Sequence, residues 1–246
     1  MKHTTLCLLA AGILAFAPSV HAQVILAVDF GNTVTGSAVE SGFQGFVPAG
    51  STNSNTPTNP SQTFGTIPDP QFTVAFPGAA GFRYRSEIAD TGSFTYGDLL
   101  EDLATNFNRT TYVDSTTRPG SDTFTISGLS ANTTYSIRLW SLDRAFNNGT
   151  VMHWYNTTGG TGASSVLIGT VTNSTSPIFS SNTDYSTFGT VTSDSSGVIR
   201  IGALVQGTGS GQLNGFELSA IPEPSTYALL LTGAGLLVWL RRKARR

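Results

Sequence analysis

The chain has 246 residues, of which 39% are hydrophobic and only 11% charged, with a formal net charge of −2. Six of its thirteen cations sit at the two ends, so Asp29–Glu223 holds fifteen acids against seven arginines, a net −8 without a lysine. That balance excludes nucleic-acid binding, which needs a basic footprint, and docking of this region on anionic lipid.

In chain order, Lys2 and His3 precede an apolar stretch, Leu6 to Phe16, followed by Pro18-Ser19-Val20-His21-Ala22. Val20 and Ala22 are the small residues that signal peptidase requires at positions minus three and minus one. Residues 1–22 therefore read as a secretory signal peptide cleaved between Ala22 and Gln23. A lipoprotein signal would acylate Cys7, but that cysteine lies inside the apolar run rather than after it. Cleavage removes this only cysteine and two of three histidines, leaving no disulfide and no thiolate chemistry.

Residues 23–221 are long enough for one good core. Thr, Ser, Gly and Asn dominate, and turn residues separate short β-branched and aromatic runs, the pattern of an all-β sandwich or barrel. Val24 to Phe30 is the first predicted strand. Gly50 to Pro70, with prolines at 57, 60, 68 and 70, reads as a long surface loop. Phe72, Val74 and Phe76 alternate as a strand does, and Phe82-Arg83-Tyr84-Arg85 is a further strand with both arginines on one face. One helix is predicted, Tyr96 to Phe107, because Leu99, Leu103 and Phe107 recur at helical spacing. Asp98, Glu101 and Asp102 then fall in its first turns, where the helix dipole favours acids. Phe124 and Ile126 lead through a Ser-Gly-Leu-Ser-Ala-Asn turn into the alternating Tyr135, Ile137 and Leu139. Val166–Val171, Val198–Leu204 and Leu213–Ile221 complete the predicted strands.

The chain ends in Pro222-Glu223-Pro224, an apolar run from Tyr227 to Leu240, and a basic cluster of Arg241, Arg242, Lys243, Arg245 and Arg246. As a helix the run spans roughly 21 Å, short of the ~30 Å of a membrane core. The prolines stop a helix from extending upstream and keep Glu223 extended. The cations favour a cytoplasmic C-terminus, so a C-terminal hydrophobic helix touching the membrane is expected.

This three-part tail, residues 222–246, resembles the PEP-CTERM sorting signal of Gram-negative bacteria. The resemblance implies recognition by exosortase, cleavage near Pro222-Glu223-Pro224, and transfer to the cell surface or an exopolysaccharide matrix. The segments FTISGLSANTTYSIRLWSLD, SSGVIRIGAL and GQLNGFELSAIPEP carry a looser resemblance to galactose-binding-like and malectin-like jelly rolls. That resemblance implies a jelly-roll β-sandwich whose first and last strands pair. Related jelly rolls hold a structural Ca²⁺ near such a junction, which nominates Asp29 and Glu217, with Asn214 as a third oxygen donor. Calcium takes six or more oxygens.

Catalytic patterns are scarce. His153 is the only histidine left after processing, and its Met-His-Trp-Tyr context is a strand rather than a nucleophile elbow. Glycoside hydrolysis by two acids from distant strands has no sequence spacing, so Asp98 and Asp102 stay open as carboxylates for an enzyme. Trp140, Trp154 and Tyr155 are the candidate sugar-stacking aromatics. Alternation puts Trp140 opposite the Tyr135, Ile137 and Leu139 face, where it either meets a ligand or packs on the helix. Asn108, Asn132, Asn148, Asn156 and Asn173 begin Asn-x-Ser/Thr triplets, which this composition produces as hydrophilic turns.

The expectation is a secreted, non-catalytic carbohydrate-binding or matrix module, handled in export by signal peptidase and exosortase. A glycosidase or polysaccharide lyase, and a purely structural adhesive protein, are the alternatives.

Overall fold

Short β-branched and aromatic runs separated by turn residues make the chain all-β. A computed structural model describes residues 23–31, 38–49, 51, 56–65, 70–85, 88–105, 110–111, 117–145, 149–206, 210–221, 233, 235 and 241–243. Val24–Ala220 forms one compact unit.

Strands are numbered in chain order. One sheet has the order β12 (Ser186–Thr192), β9 (Thr134–Trp140), β15 (Gly215–Ala220), β1 (Gln23–Phe30) and β2 (Gln44–Phe46). A second runs β11 (Val166–Thr172), β10 (Val151–Asn156), β13 (Ile199–Gln206), β8 (Phe124–Ser127), β4 (Phe72–Ala75) and β3 (Ser61–Phe64), with β7 (Thr110–Thr111) also on β13. A third, small sheet joins β14 (Gln212–Leu213), β6 (Asp102–Thr105) and β5 (Gly81–Tyr84). The first and last strands of the domain are neighbours, and Phe30 N–H donates to Asn214 O at 2.8 Å.

The main core lies between the inner faces of the two large sheets, in the manner of packed sandwiches. Phe30 stands at its centre, with ring centroids of Phe46, Phe76, Phe216 and Phe124 at 5.3, 5.4, 6.0 and 6.4 Å. Tyr135, Ile137 and Leu139 enter the same core, as their alternation predicts. Trp140 points the other way, into a second cluster with Ile88, Phe94, Leu99, Leu100 and Leu142.

The turn into β9 is held by its backbone. Gly128 has φ 88°, and a Cβ there would collide with Gln71 O. Leu129 N–H donates to Gly197 O at 3.1 Å, and the Tyr135 hydroxyl accepts Ser130 N–H at 3.1 Å.

Two predicted elements are corrected. The helix, α1, covers only Gly97–Glu101, and the chain then turns extended as β6. Every residue of β6 is buried, with Ala104 opposite Phe82 and Leu103 opposite Arg83. A strand covered on both faces has no alternation, so its apolar positions mimic a helical stripe. Glu101 and Asp102 are consequently interior rather than solvated. The Gly50–Pro70 segment contains β3, antiparallel to β4 with Phe64 opposite Phe72. Gln62 of β3 bridges to the strand β2 region, donating to Gly45 O at 2.6 Å and accepting from Val47 N at 3.0 Å. Strands β2 and β12 were not among the predicted elements.

Phe30→Ala removes the ring on which four others pack, and is expected to cost about 3–5 kcal/mol. Urea unfolding of the purified protein measures it, and a loss below about 1 kcal/mol would contradict this core assignment.

Candidate functional site

The candidate tail residues divide between described and undescribed positions. Arg241, Arg242 and Lys243 are helical and exposed, as are Gly233 and Gly235. Ala22, Pro222, Glu223, Pro224, Arg245 and Arg246 lie outside the described residues, and Gln23 begins β1. Among the described residues, no helix is long and apolar enough to cross a membrane, and most of the apolar run 227–240 lies outside them.

The three candidate stacking aromatics are corrected by their burial. Trp140 is 1% exposed, donates its indole N–H to Asn182 O at 2.8 Å, and meets Tyr96 and Phe43 edge-on at 5.6 and 5.8 Å. Trp154 is fully buried, and its N–H donates to Ser141 Oγ at 3.0 Å. Tyr155 is buried with the Arg118 guanidinium 5.6 Å from its ring centroid. Each indole N–H is satisfied from inside, and no ring face is offered to a sugar.

The nominated calcium donors are largely engaged by other groups. Asn214 spends its whole amide on backbone: Oδ1 accepts from Leu142 N at 2.6 Å, and Nδ2 donates to Asp102 O at 2.6 Å and Leu100 O at 3.3 Å. Glu217 lies opposite Arg138 and accepts from the Tyr96 hydroxyl at 3.4 Å. Asp29 is buried, with Oδ2 accepting Glu40 N–H at 2.8 Å and Oδ1 without a partner. Among the described residues, no three His, Cys, Asp or Glu side chains are grouped to hold a metal. This donor set does not fit calcium, which needs more oxygens than it presents.

Burial drives the titration of this region. It pushes the Asp29 carboxyl well above the usual carboxylate range, with the Glu40 N–H opposing and Asp102, Glu40 and Asp98 reinforcing. Burial likewise raises Glu40 and Glu217. It also pushes the Tyr96 phenol, beside Glu217, up to about 12.

Among the described residues three clefts have room for a ligand, the smallest, about 280 Å³, beside Arg85 and Arg144. An acidic one of about 670 Å³ is lined by Glu40, Asp90, Asp98 and Tyr96 among others. Its acids largely tie backbone: Glu40 accepts from Ser41 N at 2.9 Å and Leu99 N at 3.4 Å, and Asp90 from Gly97 N at 3.1 Å. Asp98 lines this cleft, whereas Asp102 is fully buried and out of reach of a substrate. The second cleft, about 480 Å³, is lined by Asn132, Asn156, Thr158, Ser164, Thr192 and Ser195 with Val166. Asp194 also lines this cleft, and the Arg200 hydrogen bond and the Val198 and Ser196 N–H groups hold its carboxyl below the usual range. Sequence reading treated Asn132 and Asn156 only as turn residues. What brings them together is the meeting of the 130–134, 156–166 and 192–195 segments, a tertiary event with no local signal.

His153 lies in β10 between Thr170 of β11 and Leu204 of β13, as its strand context predicts. Burial lowers its pKa, opposed by a hydrogen bond with Gln206.

The raised carboxyls fix the sign of the pH dependence. The folded state holds protons that the unfolded state releases, so this stability is present below the ordinary carboxylate pKa and is lost as pH rises through the raised ones. The lowered pKa of His153 works in the opposite sense but is common to wild type and variant, so Asp29→Asn is expected to lose less stability than the wild type as the pH rises from 5 to 8, read by melting temperature. Identical pH dependence of the two would contradict the placement of Asp29.

Comparison with curated proteins and with solved structures returned no match. A family match falls on the tail and covers residues 220–246, as a PEP-CTERM protein-sorting motif. The chain therefore carries the signal of an exported protein sorted by exosortase.

Proposed function

We infer that the exported β-domain is a non-catalytic, matrix-associated module that binds neutral polysaccharide through the amide- and hydroxyl-lined cleft. The observation that carries this reading is the lining itself: Asn132, Asn156, Thr158, Ser164, Thr192 and Ser195 present donors and acceptors in a space of about 480 Å³, and the one carboxylate among them, Asp194, is paired with Arg200. Such groups match the hydroxyls of a sugar, and Val166 adds an apolar wall. Without an aromatic platform each site holds its sugar weakly, and many copies on one surface supply avidity. The sorting motif provides that setting.

Ser195 is exposed and lines the cleft, so Ser195→Trp fills it while leaving the Ser193 and Asp194 hydrogen bonds that hold this turn. The wild-type protein is expected to be retained saturably by the producer's extracellular polysaccharide, with bovine albumin as control. Ser195→Trp is expected to weaken that retention roughly tenfold. Equal retention of both would exclude this cleft, and no retention of either would exclude the glycan reading.

A catalytic reading rests on one observation, the raised carboxyl of Glu40 beside Asp98 in the acidic cleft. A raised acid close to a second carboxyl group is the arrangement of a glycosidase. Polysaccharide cleavage that Glu40→Gln abolishes would support it.

A further inference from the structure

The two long sides of the sandwich are built differently. On one side the sheets end in β2 and β3, strands of 3 and 4 residues. On the other they end in β11 and β12, each of 7 residues. Their sequences are Val-Leu-Ile-Gly-Thr-Val-Thr and Ser-Thr-Phe-Gly-Thr-Val-Thr, which share the ending Gly-Thr-Val-Thr. Among the described residues β12 pairs only with β9 and β11 only with β10, leaving one edge of each without a strand partner.

These edges lie together. The inner faces of β11 and β12 approach closely at glycines: a Cβ on Gly189 would sit 3.2 Å from Ile168 O and 3.0 Å from Ile168 Cγ2. The result is one narrow rim along the sandwich. It is also open, since Val166 and Leu167 of β11 are 64% and 51% exposed and Phe188 of β12 is 56% exposed.

Soluble proteins protect a long edge with charge, proline, a bulge or a short strand. This rim has few such guards. Residues 145–183 contain no Asp, Glu, Lys or Arg, and neither do residues 185–193. Proline is absent from both strands. A bulge interrupts β11 near Ile168, but β12 pairs with β9 in unbroken register from Ser186 to Thr192.

We propose that the β12 edge of this rim is the interface through which a second copy of the chain docks, strand edge to strand edge. The charge distribution selects that occupant. Two domains that each hold fourteen acids against seven arginines from Asp29 to Glu217, a net −7, repel one another over most of their surface. The uncharged rim lets copies meet without opposing like charges, and its unpaired N–H and C=O groups are self-complementary in an antiparallel two-fold pair. Phe188, over which the Arg138 guanidinium sits at 5.2 Å, supplies the apolar contact. Pairing across this edge would extend the five-stranded sheet into a continuous sheet of two copies. The proposal does not depend on glycan binding.

Sedimentation velocity of the processed protein from producing cells tests it, across roughly 1–100 μM. The wild type is expected to shift reversibly from monomer to dimer. Thr190 is exposed on β12, so Thr190→Glu leaves the core untouched and places like charges across the paired strands. It is expected to raise the dimer dissociation constant roughly tenfold. Ser61→Glu, equally exposed on β3 at the far side, is expected to change nothing. Circular dichroism and the melting temperature check that both variants fold. A wild type that stays monomeric throughout overturns the proposal, as does equal weakening by both substitutions. So does a rim that captures a different protein or a glycan in place of a second copy.

Discussion

Asn214 is the residue on which the two halves of this domain depend. Its side chain satisfies backbone groups of Leu142, Asp102 and Leu100, while its own N–H donates to Trp140 O and its carbonyl accepts from Phe30 N–H. One buried amide thereby joins the end of β9, the first strand and the junction of α1 with β6. Each of these groups would otherwise be a buried orphan, costing about 1–3 kcal/mol. The main core lies on one side of this junction and the Trp140 cluster on the other. With the junction fixed, β1 and β15 become neighbours and the sandwich is tied from both ends of the exported chain.

The same junction explains where the aromatics go. Tyr135, Ile137 and Leu139 fill the space between the sheets, and Trp140 faces out of it. An outward tryptophan would be a ligand platform if that face of the sheet were bare. Here α1 and the Phe43 and Tyr96 rings cover it, so the outer face becomes a second interior. Acids drawn into this layer, Asp29 and Glu40 above all, are held by backbone N–H groups and carry raised pKa values. The region is built for packing, while the polar cleft and the uncharged rim lie at the surface.

Much of this was legible in the sequence. Strands β4, β8, β9 and β15 were visible because their apolar residues alternate, giving a period of two, whereas β1 and β13, buried on both faces over most of their length, were visible as short apolar runs between turn residues. The adjacency of the first and last strands followed from the jelly-roll resemblance. Strand β6 was misread as helix because Leu99 and Leu103 sit at helical spacing while their burial comes from two different layers. Strands β3 and β12 went unseen since Ser61-Gln62-Thr63 and Ser186-Thr187 carry little apolar signal, and pairing with β4 and β9 supplies what propensity lacks. The burial of Trp154 and Tyr155 was unreadable for a related reason: alternation assigns faces but does not say what covers them. Asn214 looked like a possible ligand, because a sequence shows an amide but not the backbone groups that consume it.

The tail decides where this domain acts, and the account stands or falls on that. Fractionation of producing cells expressing the wild-type chain and a chain ending at Ile221 tests it most directly. The account predicts that the wild type is found at the surface or in the extracellular matrix, and that the truncated chain is exported but not retained there. Identical distribution of the two would show that residues 222–246 do not direct sorting, and would contradict the account.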